Sequence, residues 1–257
     1  MKTLKLTIAY DGTRYAGWQT QRVKSGKFKV QREQPTIQGT IERVLRRILQ
    51  EPVTVIGSGR TDAGVHAEAQ VAHVKTDSAI PRERLLRSLN QLLPSDIAVT
   101  SVEEVRRPFH ARFDALIKRY RYRIFTGPVV PPFIRPYVHH ARVPLNVRTM
   151  QRELRALEGA HDFRAFARAS STGRRTTHRT ITRARLTRRG RELHLDVEGN
   201  GFLHTMVRSI AGTLIDVGRG RLPSGTVRAM LAKRDRRLAG TTAPAKGLTL
   251  LCVAYTK

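Results

Sequence analysis

Apolar and polar positions alternate strictly at the start of the chain. Leu4, Leu6 and Ile8 alternate with Lys5 and Thr7, and this period of two predicts a β-strand with one buried face. Other stretches whose pattern, composition and length predict strands are 53–58, 69–76, 97–105, 119–125, 181–188, 192–198 and 248–255.

A second pattern, in which apolar residues recur every three or four positions, predicts helices. It is clearest from Thr36 to Gln50, where arginines occupy the positions between the apolar ones. Further helices are predicted over 81–93, 147–157, 202–217 and 225–233, with Gly218 as the C-terminal cap of the one before it. Because strands, hairpins and helices mix in both halves, the predicted fold class is α+β with mostly antiparallel sheet.

The charge of the chain departs furthest from the average. Its 48 Lys and Arg against 20 Asp and Glu give a formal net charge of +28. Such a field favours nucleic acid as a partner, although a general bias towards basic residues would produce the same composition. A membrane is disfavoured because no stretch approaches the roughly 20 apolar residues of a spanning helix. The first ten residues lack the apolar run of a signal peptide, so we expect a cytoplasmic protein.

Cysteine usage restricts the chemistry further. The only cysteine, Cys252, lies in an apolar run and is interpreted as a small core residue. A disulfide and a cysteine-based zinc site within one chain are both excluded.

Two segments carry an excess of positive charge. Residues 22–34 contain five basic residues before the first acid, and are either a loop that extends an RNA-binding surface or a solvated loop with no role. Residues 164–191 contain ten arginines and neither Asp nor Glu. Since such a stretch repels itself unless an anion lies against it, contact with phosphate is favoured there.

The stretch from Gly57 to His66 is the most informative for chemistry. Small residues surround one guanidinium, that of Arg60, and one carboxylate, that of Asp62. From the residues alone it is a phosphate-binding loop, a turn or a catalytic loop. It lacks the Lys-Ser or Lys-Thr ending of a P-loop, which makes nucleotide hydrolysis a weak hypothesis.

Residues 60–67, Arg-Thr-Asp-Ala-Gly-Val-His-Ala, resemble the signature of the TruA family of tRNA pseudouridine synthases. Further blocks resemble that family in the expected order: 10–13, 17–19, 109–113, 118–122, 199–208 and 245–250. The resemblance implies two ferredoxin-like halves, 1–115 and 116–257, which share a mostly antiparallel central sheet flanked by helices, with the catalytic cleft between them. The first half carries the Arg-Thr-Asp loop and the second carries the later blocks.

The resemblance also implies the reaction and its main residue. Pseudouridine formation moves the uracil from N1 to C5 attachment on the same ribose, so no cofactor and no metal are expected. Asp62 is then the catalytic carboxylate, acting as a nucleophile at C1′ or as a base on the ribose. An ionised carboxylate in a pocket without water needs a positive partner, and the resemblance assigns that role to Arg208.

Other residues receive substrate-binding roles from the same resemblance. Tyr120 is the aromatic that contacts the uracil and can assist proton transfer, although Tyr122 faces the same side of its strand and spacing alone does not separate them. Leu248 and Leu250 are expected to line the pocket. Arg60 is expected to fill the space that the target base leaves in the RNA stack.

The histidines and the assembly complete the expectations. His66, His73, His110 and His204 lack the paired spacing of a zinc site and are interpreted as structural or RNA-contacting. The family acts as a homodimer on uridines 38, 39 and 40 of the anticodon stem-loop. The rival hypotheses are the same chemistry on another structured RNA and an RNA-binding protein without catalysis.

Overall fold

The protein is described by a computed structural model, which covers residues 1–20, 34–168 and 176–255. The chain divides into two compact units, residues 1–115 and 116–257. Each unit combines helices with a mostly antiparallel sheet, which confirms the predicted α+β class. The basic segment 22–34 lies outside the described residues except for Gln34. No helix of the described residues has the length and apolarity needed to cross a membrane.

The first unit is a β-α-β-β-α-β arrangement. Its elements are β1 (Lys2–Tyr10), α1 (Ile37–Leu49), β2 (Ile56–Gly57), β3 (His66–Thr76), α2 (Arg82–Leu92) and β4 (Ile97–Val105). The strands lie in the order β4-β1-β3-β2, and every neighbouring pair is antiparallel. This is the ferredoxin-like topology that the resemblance implies for this half.

The core of the first unit follows the sequence pattern. The alternating residues Leu4, Leu6 and Ile8 of β1 are buried, as are apolar residues on one face of α1 and of α2. Helix α1 begins where the Thr36 side chain accepts a hydrogen bond from Gly39 N, and ends at Gln50, which has a left-handed φ of 56°. The sequence therefore determines this helix to within one residue at each end.

The second unit repeats the same topology. Its elements are β5 (Ile117–Phe125), β6 (His139–His140), α3 (Val147–Arg155), β7 (Gly159–Asp162), β8 (His178–Arg189), β9 (Glu192–Gly199), α4 (Met206–Gly218), α5 (Thr226–Lys233) and β10 (Leu248–Ala254). The strand order β10-β5-β9-β8 matches β4-β1-β3-β2 of the first unit, with β7 added beyond β8. Strand β6 pairs with β5 in parallel, whereas the pairs β10-β5, β5-β9, β7-β8 and β8-β9 are antiparallel.

The predicted strand over 53–58 is wrong for most of its length, since only Ile56 and Gly57 pair as a strand. The backbone before them is satisfied by helix α1 instead. Val55 N donates to the Glu42 carboxylate at 3.0 Å, and Val53 O accepts from Arg46 at 3.2 Å. Both valines are buried, so their apolar character reflects packing rather than strand pairing.

The predicted helix over 202–217 begins later than expected, at Met206. Thr205 has a φ of 63°, and this left-handed residue separates the preceding turn from α4. Gly218 is the last residue of α4 and not its cap; a Cβ there would lie 2.6 Å from the sulfur of Met150. The glycine with a positive φ just after the end of α4 is Gly220, at 75°.

Cys252 is also less central than predicted. It is only partly buried, and it follows a register shift in the pairing of β10 with β5. The irregularity breaks the alternation that a simple apolar strand would have, so the apolar run does not place every member in the core.

Candidate active site

Asp62 lies in the loop between β2 and β3 of the first unit. A tight turn shapes this loop, because Val65 N donates to Asp62 O at 3.1 Å and Gly64 adopts a φ of 76°. Asp62 is partly exposed and Arg60 is exposed. The loop therefore presents a carboxylate and a guanidinium to the surroundings of the first unit.

The opening block of the sequence holds this loop from one side. The hydroxyl of Tyr10, at the end of β1, lies 2.8 Å from Oγ1 of Thr61, and Trp18 N donates to Thr61 O at 3.0 Å. Burial raises the pKa of Tyr10 well above its usual value, so its hydroxyl stays protonated. Two separate contacts thus fix the residue that precedes Asp62.

Two glycines of the same block allow the loop to approach closely. A Cβ on Gly12 would lie 2.0 Å from Val65 O, and one on Gly17 would lie 2.6 Å from Thr61 O. Gly17 also has a φ of 93°, which side chains other than glycine rarely adopt. This block resembles the opening of the family's sequences, but nothing in its local sequence indicates that it packs on the Asp62 loop.

Polar contacts from β3 hold the other side of the loop. Ser58 Oγ donates to Gln70 Oε1 at 2.6 Å, and Gln70 Nε2 donates to Gly59 O at 3.1 Å. His66 is buried, with its Nδ1 3.1 Å from Gly12 N. His66 therefore serves a structural role in this geometry, in agreement with one of the two interpretations given to it.

The second unit brings three of the expected binding residues, together with Tyr122, onto one sheet face. Tyr120 of β5 pairs with Leu250 of β10, and Tyr122 pairs with Leu248. Directly opposite residues of an antiparallel pair point to the same side, so the two tyrosines and two leucines form a common surface. All four are buried within the fold.

The structure distinguishes the two tyrosines that spacing left equivalent. The hydroxyl of Tyr122 donates to Pro244 O at 2.9 Å, and a Cβ on Gly247 would lie 2.7 Å from its ring. Burial raises the pKa of Tyr122. The ring of Tyr120 meets Phe202 edge-to-face at 5.2 Å. Tyr122 is therefore committed to packing against the segment that leads into β10.

Arg208 is the one residue of α4 that is not buried. Its Nε donates to Ala243 O at 2.9 Å, and Ala243 N donates back to Arg208 O at 3.1 Å. Its positive charge also acts on Tyr122, in the direction that lowers the pKa of that phenol. The guanidinium is thus oriented by the backbone and lies beside the tyrosine and leucine surface.

The arginines of β8 lie opposite acidic residues of β9, which the sequence interpretation did not consider. Arg183 pairs in register with Glu198, and Arg185 with Asp196. A protein carboxylate therefore accompanies part of the basic stretch, and phosphate is not the only anion available to it. Residues 169–175 of that stretch lie outside the described residues.

Strand β5 engages the acids of β9 more closely than β8 does. Arg121 binds Asp196 through two nitrogens at 2.7 and 2.8 Å, the bidentate geometry that makes such pairs strong. Arg183, Arg185, Arg188 and Arg189 of β8 remain exposed. They give the second unit a row of accessible positive charge.

The described residues were also examined for side chains that could bind a metal ion. Across 1–20, 34–168 and 176–255, no group of three or more His, Cys, Asp and Glu side chains is placed to hold a metal ion.

Comparison with known proteins decides the family. The family model described as tRNA pseudouridine synthase matches residues 6–114 and 154–256. The chain belongs to the tRNA pseudouridine synthase family. Proteins named tRNA pseudouridine synthase A from Brevibacillus brevis and Moorella thermoacetica are 45% and 44% identical, each over 99% of this chain and 100% of the relative. It is therefore an isomerase that acts on tRNA uridine.

A solved structure gives weaker information. A chain from the crystal structure of a Cbf5-Nop10-Gar1 complex aligns with 82% of this chain and 53% of its own length, at 12% identity and a TM-score of 0.32. At this TM-score the similarity supports no conclusion about fold or function.

The family match covers most of the predicted site. Asp62, Arg60, Arg208, Leu248 and Leu250 all lie inside the two matched ranges, whereas Tyr120 falls between them. The structure places Asp62 and Arg60 in the first unit of this synthase, and the other four residues in the second.

Proposed function

We propose that this synthase converts uridines 38, 39 and 40 in the anticodon stem-loop of tRNA to pseudouridine, with Asp62 as its catalytic carboxylate. The observation that carries the proposal is the fixed position of Asp62. Its loop is held by Tyr10 and Trp18 on one side and by Gln70 on the other. A carboxylate held in this way has a defined position relative to a bound nucleotide, which catalysis by positioning requires.

The reaction breaks two bonds, C1′–N1 and C5–H, and forms two, C1′–C5 and N1–H. The bond from uracil N1 to ribose C1′ breaks, the base turns, C5 bonds to C1′, and the hydrogen on C5 leaves while N1 gains a proton. Asp62 either bonds to C1′ as the bond to N1 breaks and is displaced when C5 bonds to C1′, or takes a proton from the ribose so that the base leaves a glycal, and returns that proton when C5 bonds to C1′. Both routes leave the oxidation state unchanged.

The roles of the other site residues extend the proposal. By resemblance to the family, Arg208 keeps Asp62 ionised, and the bond from its Nε to Ala243 O gives the guanidinium the fixed orientation that this role requires. Tyr120 contacts the uracil, a choice supported by the commitment of the Tyr122 hydroxyl to Pro244. Leu248 and Leu250 line the pocket beside Tyr120.

Arg60 and the net charge supply the RNA-binding part of the proposal. Arg60 is exposed next to Asp62, where it is able to occupy the gap left by the unstacked base. The charge of +28 favours association with tRNA and makes binding salt-dependent. The protein acts in the cytoplasm as a homodimer, and light scattering of the purified chain tests the dimer directly.

Three tRNA transcripts, each with uridine at only one of the positions 38, 39 and 40, test the substrate assignment. Pseudouridine is mapped by mass spectrometry after digestion. The expected result is modification at each of these uridines and none in a transcript with cytidine at all three. Modification elsewhere, or only in another structured RNA, would contradict the assignment while leaving the reaction class intact.

A further inference from the structure

Phe113 is an aromatic side chain that the fold does not bury. It lies near the end of the first unit, in the block 109–113, and 76% of it is exposed. The neighbouring Ala111 is fully buried, so the chain passes from core to surface within this short segment. Single exposed apolar residues are common in folded proteins, so it is the surroundings of this ring that indicate a role for it.

The ring of Phe113 is one member of a small stack. The imidazole of His110 lies against it with a centroid distance of 4.2 Å and an interplanar angle of 28°. The guanidinium carbon of Arg112 lies 5.9 Å from the centroid of the Phe113 ring, within the range of a cation–π interaction. Two side chains with planar polar groups therefore accompany one exposed aromatic ring.

Hydrogen bonds to the backbone hold this stack in place. Nδ1 of His110 accepts from the backbone nitrogens of Arg112 and Phe113, each at 3.2 Å. Asp114 fixes the start of the turn by accepting from His110 N at 2.8 Å. Ala111 N in turn donates to Nδ1 of His73 at 3.1 Å. The aromatic ring is thus presented on a turn that is already ordered, which lowers the entropic cost of binding.

Charge and shape together identify the occupant. An exposed ring beside a guanidinium, in a chain of net charge +28, suits a ligand that is both aromatic and anionic. A nucleobase attached to a phosphate backbone has both properties, and aromatic side chains with arginine are the usual platforms for unstacked bases. A purely apolar protein partner gives no reason for a guanidinium at the ring.

We propose that Phe113, stacked on His110 and flanked by Arg112, is a platform for an unstacked base of the RNA substrate, separate from the uridine that reacts. The inference rests on the proposed function for the identity of the RNA. Because every base has a π-face, the platform accepts any of the four bases at that position.

Binding of unmodified tRNA by Phe113→Leu, Phe113→Trp and Phe133→Leu tests the platform. Phe133 is a matched control, since it is 90% exposed but belongs to the second unit and is not a member of this stack. We expect Phe113→Leu to weaken binding by about 5-fold or more, the effect of losing one base–aromatic stack. Phe113→Trp and Phe133→Leu are expected to stay within about twofold of wild type.

The salt dependence of binding separates stacking from charge. The slope of log K against log salt concentration reports phosphate contacts, so it is expected to be the same for Phe113→Leu and wild type. Binding by Phe113→Leu within twofold of wild type would overturn the proposal, as would a changed slope. A change in oligomeric mass on light scattering would also overturn it, because a second copy of the chain would then cover the ring.

Two further readouts keep the test decisive. If Phe113→Leu does not fold, fluorescence of Phe113→Trp carries the test: quenching by RNA beyond that of wild type is expected, and its absence contradicts the platform. Tritium release from C5-tritiated tRNA is measured in parallel for wild type. Binding that depends on Phe113 without any tritium release would leave the platform standing and remove the proposed function.

Discussion

The hydroxyl oxygen of Tyr10 lies 2.8 Å from Oγ1 of Thr61, the residue that immediately precedes Asp62. This contact joins the end of the first strand to the loop that carries the catalytic candidate. Both side chains are buried, so water does not readily replace either hydroxyl as a hydrogen-bond partner, and loss of the contact costs stability. The opening block of the family signature is therefore explained by its support of the Asp62 loop.

Replacing Tyr10 by Phe is expected to lower both stability and rate. The lost hydrogen bond leaves Thr61 Oγ1 without this buried partner, which costs about 1–3 kcal/mol. A displaced loop is expected to reduce single-turnover conversion of tRNA about tenfold or more, with tRNA affinity within about twofold.

Tyr15→Phe is the matched control for this change. The Tyr15 hydroxyl donates to Asp96 at 2.6 Å and, within the described part of the chain, is not hydrogen-bonded to the Asp62 loop. Its stability loss should be similar and its rate should not change. Equal rate losses in the two variants would show that the Tyr10 contact has no special relation to catalysis.

Gly12→Ala is expected to destabilise the first unit. The added methyl group would lie 2.0 Å from Val65 O, and such overpacking typically costs about 1–3 kcal/mol. Urea unfolding measures the loss. Gly201→Ala serves as the control, because its methyl group would meet Arg179 at an ordinary 3.5 Å; equal losses in the two variants would contradict the steric argument.

The two tyrosines of β5 are expected to respond differently to loss of their hydroxyls. Tyr122→Phe removes the bond to Pro244 O and should lower stability by about 1 kcal/mol with a small effect on rate. Tyr120→Phe should lower the rate of tritium release more than Tyr122→Phe does. Kinetics and unfolding of both variants measure the contrast, and the opposite pattern would assign the substrate contact to Tyr122.

His73 is expected to make stability depend on pH. Burial, with the nearby charges of His110 and Lys75, lowers the pKa of His73 from 6.5 to about 4. Between these pH values the unfolded chain binds a proton at His73 that the folded chain does not. The contribution of neutral His73 to the free energy of unfolding is therefore complete above pH 6.5 and is lost as the pH falls towards 4. In His73→Asn, whose amide oxygen replaces the Nδ1 that accepts from Ala111 N, the free energy of unfolding should fall less over this range. An identical pH profile would contradict the shift.

Local pattern predicted most elements, because helices and strands with one buried face leave a period in the sequence. It gave α1 and β4 closely. It failed at Val53 to Val55, where the backbone pairs with side chains of α1. It failed again at Thr205, which has a positive φ. Threonine rarely adopts such a φ, so the local sequence gave no reason to expect one there.

Contacts between distant segments were the other limit. Family resemblance placed Asp62 in a signature, but the packing of Gly12 and Gly17 on its loop depends on register and tertiary structure. The same holds for the β8 arginines, whose acidic neighbours on β9 follow from strand pairing and not from their own segment. The sequence was thus sufficient to identify candidate site residues, but not the residues that contact them in the fold.

The most direct test of the account measures tritium release from C5-tritiated uridine in tRNA by wild type and Asp62→Asn, at matched concentration and salt. Asparagine keeps the size of the side chain but removes its charge. We expect release by wild type without added cofactor, and tRNA binding without release by Asp62→Asn. Release by Asp62→Asn at the wild-type rate would contradict the assignment of Asp62 as the catalytic carboxylate.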